Sequence, residues 1–275
     1  MARNIALKAN LVHPLVIQNR THQRAQEFAA ALPNSAAVQV VTTVAEAVNS
    51  ADIVFTSLGD DASVLSLYET VVKAGSLAGK LFVETSTILP ESTNAVAKLI
   101  TDAGGQFVAA PVFGVPAMAD AGKLVVVPAG EASLVAKLQP FFVGVIARSV
   151  IDMSGREPGQ ASLLKITGNS FILSMVETLG EGLTWAEKSG LGGDMLQQFL
   201  EHMMPAPFGA YCSRMRSGDY MREDPLFAVD LARKDAGHAI RLAGSVGVDL
   251  KIAKVADDHL KVVKEVVGEK GDLPA

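Results

Sequence analysis

The feature that most constrains the fold of this sequence is an alternation of short apolar runs with helix-like stretches over residues 1–155. The apolar runs have the length of strands, and the stretches between them repeat apolar residues at helical spacing. The predicted strands are 15–18, 38–41, 53–57, 81–84, 106–109, 124–127 and 148–151, and the helices between the earlier ones are 23–32, 44–50, 62–73 and 92–103. Thr21, Thr43 and Asp61 stand where N-caps of these helices are expected. This alternation predicts a parallel, doubly wound α/β sheet.

The strand pattern stops near the segment "MSGREPG", and only helical patterns follow it. The predicted later helices are 159–189, 194–203, 208–216, 225–245 and 251–267. The first of them is far longer than the usual helix of about 11 residues. We therefore expect a Rossmann-like domain at 1–155, an all-α domain at 156–275, and a long interdomain helix that joins them.

The chain opens on a helical pattern rather than on a strand. Ile5, Ala9 and Val12 recur at helical spacing before His13 and Pro14, and no G-x-G-x-x-G sequence occurs anywhere. A dinucleotide-binding sheet normally places a strand and such a glycine-rich turn before this helix. We therefore expect the first strand to be missing, which leaves the strands at 15–18 and 53–57 with unpaired edges. Either the chain is a shortened version of a longer functional protein, or the short form is genuine and has lost dinucleotide binding.

Composition excludes several classes of function. A net charge of −5 without a basic cluster argues against nucleic acid, and no apolar run reaches the roughly 18 residues of a membrane span. One cysteine, Cys212, and five dispersed histidines predict no metal site. We expect a cytoplasmic protein that acts on a small molecule, with a mitochondrial location as the alternative if a segment precedes Met1.

A lone charge marks one helix as a candidate catalytic element. In "GQASLLKITGNS", Lys165 and Asn169 are four residues apart and share a helix face, and Lys165 is the only charged residue in 158–176. Burial disfavours the charged form of a lysine, which suits Lys165 to donate a proton to a carbonyl oxygen, and Asn169 can bind the same substrate. The alternative is a lysine that extends to solvent from a helix edge.

Polar and glycine-containing loops follow the predicted strands. Asn19, Arg20 and Thr21 follow the strand at 15–18, and this loop has no acidic residue. An arginine suits the 2′-phosphate of NADP, whereas NAD favours a carboxylate there, so NADP is favoured over NAD. The pairs Leu58-Gly59 and Ser86-Thr87 follow two further strands at the edge where open sheets bind ligands. All three segments also fit ordinary surface loops.

Together these stretches resemble the β-hydroxyacid dehydrogenases, whose members include 3-hydroxyisobutyrate dehydrogenases and share a 6-phosphogluconate dehydrogenase-like NADP-binding domain. The similar segments are "IQNRT", "ADIVFTSLGDD", "ETST", "APVFGVPAMADAGKL", "GQASLLKITGN" and "DLARKDAGHAI". The resemblance implies an NADP-dependent oxidoreductase that reduces a small aldehyde or ketone, or oxidises the hydroxy acid. It also implies Lys165 as proton donor, Asn169 as substrate ligand, Lys234 near the nicotinamide, and a homodimer built on the long helix.

The sequence departs from the family in its substrate loop. Where the family has Ser-Gly-Gly for a substrate carboxylate, this chain has Phe113, Gly114 and Val115. The departure favours a less polar aldehyde, ketone or imine over a small 3-hydroxy acid. A second departure, Glu84 in place of the family's aspartate, is mild. The alternatives are a non-catalytic dimeric family member and an imine reductase, and Lys165 counts against the latter.

Overall fold

The computed structural model describes residues 1–33 and 36–275. The strands are β1 (Leu15–Ile17), β2 (Val38–Val40), β3 (Ile53–Thr56), β4 (Leu81–Glu84), β5 (Gln106–Ala109), β6 (Val112–Phe113), β7 (Leu124–Val126), β8 (Ala129–Gly130), β9 (Ala147–Val150) and β10 (Met153–Ser154). The helices are α1 (Ala2–Lys8), α2 (His22–Ala30), α3 (Val44–Asn49), α4 (Asp61–Val71), α5 (Pro90–Asp102), α6 (Pro116–Ala121), α7 (Ala132–Leu138), α8 (Pro158–Lys188), α9 (Gly193–Met203), α10 (Ala210–Ser217), α11 (Val229–Ser245) and α12 (Lys251–Val267).

The chain divides into two compact units, Met1–Lys165 and Ile166–Ala275. Helix α8 begins in the first unit and continues without a break into the second. The first unit contains all ten described strands and helices α1–α7. The second unit contains helices α9–α12. The predicted class, a Rossmann-like α/β region followed by a helical region, is confirmed. The predicted boundary at 155 stays a prediction.

The largest sheet of the first unit has the strand order β10–β8–β5–β4–β3. Strands β3, β4 and β5 are parallel and in register, so Thr56 lies opposite Glu84 and Glu84 opposite Ala109. Their carboxyl ends therefore form one edge, where loops from neighbouring strands meet. The sheets are mostly parallel, as predicted, but β8 pairs antiparallel with β5 and β6 pairs antiparallel with β7.

Strands β1 and β3 are each paired on one side. Strand β1 pairs with β2 in a two-stranded sheet, and β3 pairs with β4. Within residues 1–33 and 36–275, no backbone pairing joins β1 to β3. Leu15 and Ile53, at the starts of the two strands, nevertheless pack against one apolar cluster that includes Ile5 of α1. The two strand edges expected to be unpaired are thus unpaired in the described chain.

Several predicted element ends shift in the structure. Helix α1 ends at Lys8, because Ala9 is extended, and Val12 is 90% exposed rather than on a packed helix face. Helix α11 begins at Val229 rather than at 225, because Phe227 accepts a backbone hydrogen bond from Leu273 near the C-terminus. The segment 116–121, predicted as part of a loop, forms α6.

The second unit has its own apolar core. Leu173 and Leu179 of α8 pack in a cluster with Leu200 of α9, Val229 of α11 and Leu260 of α12. No helix in the described parts of the chain is long and apolar enough to cross a membrane. Among those same residues, no group of three or more histidine, cysteine, aspartate or glutamate side chains is placed to hold a metal ion.

Candidate functional site

A buried carboxyl connects the loops at the carboxyl edge of β3 and β4. Glu84 is 1% exposed, and its Oε2 accepts a hydrogen bond of 2.5 Å from the Thr56 hydroxyl. Because Thr56 has a single hydroxyl hydrogen, the Tyr68 hydroxyl of α4 donates to it, at 2.8 Å. The Glu84 Oε1 accepts from the Ser86 backbone N–H at 2.6 Å, and the Ser86 Oγ accepts from the Leu58 N–H at 2.7 Å. The side chains of Glu84 and Ser86 therefore connect the end of β4 and its loop to the end of β3 and its loop.

The environment of this network changes the ionisation of two of its members. Burial raises the pKa of Glu84 above its usual value, although hydrogen bonds from Ser86 and Thr56 partly oppose the shift. Burial, with the nearby Glu84 carboxyl, holds the pKa of Tyr68 well above its usual value. Neither the network nor these shifts are visible in the sequence, where Glu84 is only a conservative exchange for aspartate.

The predicted cofactor residues after β3 and β4 lie around this network. Leu58 and Gly59 are exposed, and they precede Asp60, whose side chain caps α4 by accepting from the Ser63 N–H at 2.7 Å. The predicted cap, Asp61, is therefore one residue too late. Ser86 is buried, and Thr87 beside it is partly buried.

The loop after β1 is exposed, and a side chain within the loop accepts one of its backbone hydrogen bonds. Asn19, Arg20 and Thr21 are all exposed, and the Asn19 Oδ1 accepts from the Thr21 N–H at 2.9 Å. Thr21 is the N-cap residue of α2, as predicted, but its side chain makes no capping hydrogen bond. This loop places a guanidinium at the carboxyl end of β1, which lies in the two-stranded sheet.

Lys165 is buried, as predicted, and is held against an aromatic ring. It is 9% exposed, and its Nζ lies 4.5 Å from the centroid of the Phe113 ring. This is the distance of a cation–π contact, which favours an ammonium over the ring face. The structure therefore brings together the candidate proton donor and the residue at which the substrate loop departs from its family.

The first turns of α8 are fixed on α5, and this contact positions Lys165. The hydroxyls of Thr93 and Ser162, both buried, are 2.6 Å apart, and the Gly159 N–H donates to Asn94 Oδ1 at 2.8 Å. A Cβ on Gly159 would lie 2.7 Å from the Pro90 carbonyl oxygen. Only glycine permits this approach of the two helices.

The loop after Phe113 is rigid. Gly114 has a φ of +140°, and a Cβ there would lie 2.7 Å from Leu124 Cδ2. Val115 is the N-cap residue of α6, and Pro116 occupies its first position. The predicted substrate segment is thus an extended glycine followed directly by a helix.

In the second unit, Asn169 is bound to a buried acidic side chain. Its Nδ2 donates to Asp235 Oδ2 at 2.6 Å, and both residues are buried. Lys234 Nζ lies 3.3 Å from Asp235 Oδ1, an ionic contact without hydrogen-bond geometry. Asn169 is therefore oriented by Asp235, which also holds Lys234. The signal available in the sequence was the adjacency of Asp235 to Lys234 in "LARKDAGH".

Parallel strands with polar loops at their carboxyl edge, followed by one long helix and a helical unit, define a Rossmann-like fold of the dinucleotide-binding class. The family described as the NAD binding domain of 6-phosphogluconate dehydrogenase matches residues 1–155, and the chain belongs to this family of NAD(P)-binding oxidoreductases.

Relatives of known sequence or structure agree with this assignment. "NADH-dependent oxidoreductase ucdB" of Aspergillus ustus is 32% identical over 276 residues, which cover 100% of this chain and 92% of that protein. "Cytokine-like nuclear factor N-PAC" of Xenopus tropicalis is 27% identical over 96% of this chain and 48% of its own length. The crystal structure of 3-hydroxyisobutyrate dehydrogenase from Salmonella typhimurium has the same fold, with a TM-score of 0.83 at 21% identity over 99% of this chain and 92% of that one.

Proposed function

We propose that the chain is an NADP-dependent reductase of small aldehydes or ketones in which Lys165 donates the proton. The observation that carries the proposal is the position of Lys165, a buried lysine held over the Phe113 ring at the start of a long helix. Relatives named as oxidoreductases support the class of reaction. The reverse reaction, oxidation of a hydroxy compound, uses the same residues.

The residues at the carboxyl edge of the first unit fit part of a dinucleotide. Arg20 is an exposed guanidinium suited to a 2′-phosphate, and no acidic residue in the 19–21 loop opposes it. Leu58 and Gly59 are exposed residues of the loop expected to meet a ribose, and Ser86 and Thr87 follow the neighbouring strand. The name of the Aspergillus ustus relative specifies NADH, so the preference for NADP rests on Arg20 alone.

In this proposal, bound NADPH supplies the hydride. Lys165 Nζ donates a proton to the carbonyl oxygen as that oxygen gains negative charge. Asn169, one turn further along α8 and oriented by Asp235, binds the substrate beside the same oxygen. The family resemblance implies that Lys234, which contacts Asp235, acts near the nicotinamide. Phe113, Gly114 and Val115 line the substrate.

Cofactor binding and catalysis can be tested separately. We expect fluorescence titration to show tighter binding of NADPH than of NADH, and Arg20→Ala to weaken NADPH binding about tenfold or more, because a charge-assisted contact to phosphate is lost. Arg148→Ala, which changes an exposed arginine on β9, is the matched control. Tighter binding of NADH would contradict the cofactor assignment.

For catalysis, we expect Lys165→Met to lower kcat about 10²–10⁴-fold while the Kd for NADPH stays unchanged, because only the proton donor is removed. Lys137→Met, at an exposed position of α7, should keep wild-type kcat. An unchanged kcat in Lys165→Met would exclude Lys165 as the proton donor. Faster turnover of a cyclic imine than of any aldehyde or ketone would instead favour an imine reductase.

The second candidate is a non-catalytic dimeric family member. The N-PAC relatives favour it, because their name refers to a nuclear factor and not to an oxidoreductase. A folded chain that binds neither NADPH nor NADH would support this candidate.

A further inference from the structure

The segment beside Lys165 has no side chain that can donate a hydrogen bond. Residues 112–119 read "VFGVPAMA", and only their backbone is polar. Phe113 brings this segment to the lysine, since its ring lies 4.5 Å from Nζ. A substrate group beside this segment meets hydrocarbon and an aromatic ring, and no hydroxyl or amide side chain of the segment can donate to it.

The position of the Phe113 ring is fixed by its surroundings. Phe113 is the last residue of β6, opposite Val125 of β7, and its side chain packs against the apolar cluster of the first unit. Gly114, which follows it, cannot be replaced without displacing Leu124. The ring therefore lies beside Lys165 in a packed position.

The chemistry of the Phe113 ring disfavours a carboxylate beside it. The face of an aromatic ring carries partial negative charge, which attracts an ammonium and repels an anion. An anion placed here would also lose its water without a donor side chain to replace it. If Lys165 paired with such a carboxylate, its proton would no longer be directed at the carbonyl.

We propose that Phe113 determines specificity: its ring holds the Lys165 ammonium in place and directs the site to aldehydes and ketones whose remaining substituent is hydrocarbon rather than carboxylate. This inference rests on the proposed reductase function and specifies its substrate class. It assigns to one residue both the orientation of the proton donor and the rejection of acidic substrates.

The contact between ring and lysine can be tested without activity. In protein labelled with carbon-13 at lysine, the Lys165 ε-methylene signal is identified by its loss in Lys165→Arg. We expect the ring to shift this signal upfield, the shift to persist in Phe113→Tyr, and to disappear in Phe113→Leu, which keeps an apolar side chain but has no ring. A signal at the same position in Phe113→Leu and wild type would overturn the positioning role.

The specificity is tested with two aldehydes of equal chain length, butanal and 4-oxobutanoate, the second of which carries a carboxylate. We expect wild type to have the higher kcat/KM for butanal, and Phe113→Ser to change the ratio at least about tenfold towards 4-oxobutanoate, because it replaces the ring by a donor. Phe113→Leu should keep the preference for butanal. A wild-type preference for 4-oxobutanoate, or an unchanged ratio in Phe113→Ser, would overturn the proposal.

The two readouts separate this inference from the function on which it rests. If wild type reduces neither aldehyde with NADPH or NADH, the reductase function fails and the substrate assignment fails with it. The lysine signal still decides whether the ring holds Lys165. A preserved ring contact together with an unchanged substrate ratio would reject Phe113 as the specificity residue and leave the reductase intact.

Discussion

Glu84 is an ionisable side chain in an environment made of hydrogen-bond donors and apolar neighbours. Thr56 and Ser86 donate to it, yet burial is the larger influence and raises its pKa. The folded protein therefore holds the Glu84 proton more tightly than the unfolded chain does. This stabilising effect is complete below the ordinary pKa of a glutamate and is lost as pH rises through the folded pKa.

We therefore expect the pH dependence of stability to change in Glu84→Gln, which cannot ionise. Relative to this variant, wild type should lose unfolding free energy as the pH rises above the ordinary pKa of a glutamate. Urea unfolding at a series of pH values between about pH 4 and about pH 9 would measure this difference. Glu69→Gln, at an exposed position of α4, is the control. If the unfolding free energies of wild type and Glu84→Gln changed in parallel with pH, the pKa of Glu84 would not be raised in the folded protein.

Single residues differed in how well the sequence predicted them. The burial of Lys165 is confirmed, because its apolar neighbours within the same helix already implied it. Asp235 is 3% exposed, and the sequence does not indicate this burial, because its partner Asn169 lies 66 residues away in the chain. The roles of Lys165, Asn169 and Lys234 in catalysis remain proposals.

Two glycines of helix α8, Gly159 and Gly180, differ in whether they contact another helix. Gly159→Ala should lower the unfolding free energy by about 1–3 kcal/mol, because its methyl group would overlap the Pro90 carbonyl and Asn94. Gly180, in the same helix, has open space around its Cα. Gly180→Ala should therefore stabilise by about 0.5–1 kcal/mol through helix propensity.

Denaturant unfolding of the two variants checks this pair of opposite effects. Equal destabilisation by both substitutions would mean that backbone freedom, and not the contact with α5, determines the result. A loss of kcat in Gly159→Ala without a loss in Gly180→Ala would additionally show that the α5 contact positions Lys165.

Long elements were predicted better than short ones. Helix α8 runs from Pro158 to Lys188 against a prediction of 159–189, because a long periodic pattern is unambiguous. Strands β6, β8 and β10 were missed, since two residues carry no periodicity. Thr43 caps α3 with a complete capping box, as its position indicated.

At the scale of the molecule, large apolar side chains remain exposed in the second unit. Phe171 and Trp185 of α8 are 73% and 76% exposed, and Phe199 and Met203 of α9 are 52% and 67% exposed. Exposed apolar groups on this scale are typical of interaction surfaces. The homodimer on the long helix that the family resemblance implies stays a proposal, in which a second copy of this chain covers these side chains.

We expect Trp185→Glu to weaken this dimer about 30-fold or more, because a large aromatic side chain at an interface commonly contributes about 2 kcal/mol or more to binding. Sedimentation velocity over a range of concentrations measures the change. Val12→Glu, at a 90% exposed position of the first unit, should leave the dimer intact. A wild-type chain that sediments as a monomer at every concentration would contradict the dimer.

The sequence by itself determined the alternation of strands and helices, the long helix with its buried lysine, and the unpaired edges of the strands at 15 and 53. These are properties of local periodicity and of element order, which neighbouring residues encode. Only the tertiary structure decided that Phe113 covers Lys165, that Glu84 connects two loops, and that Asp235 orients Asn169. Each of these contacts joins residues far apart in the chain, so it exists only when the elements pack and water is excluded.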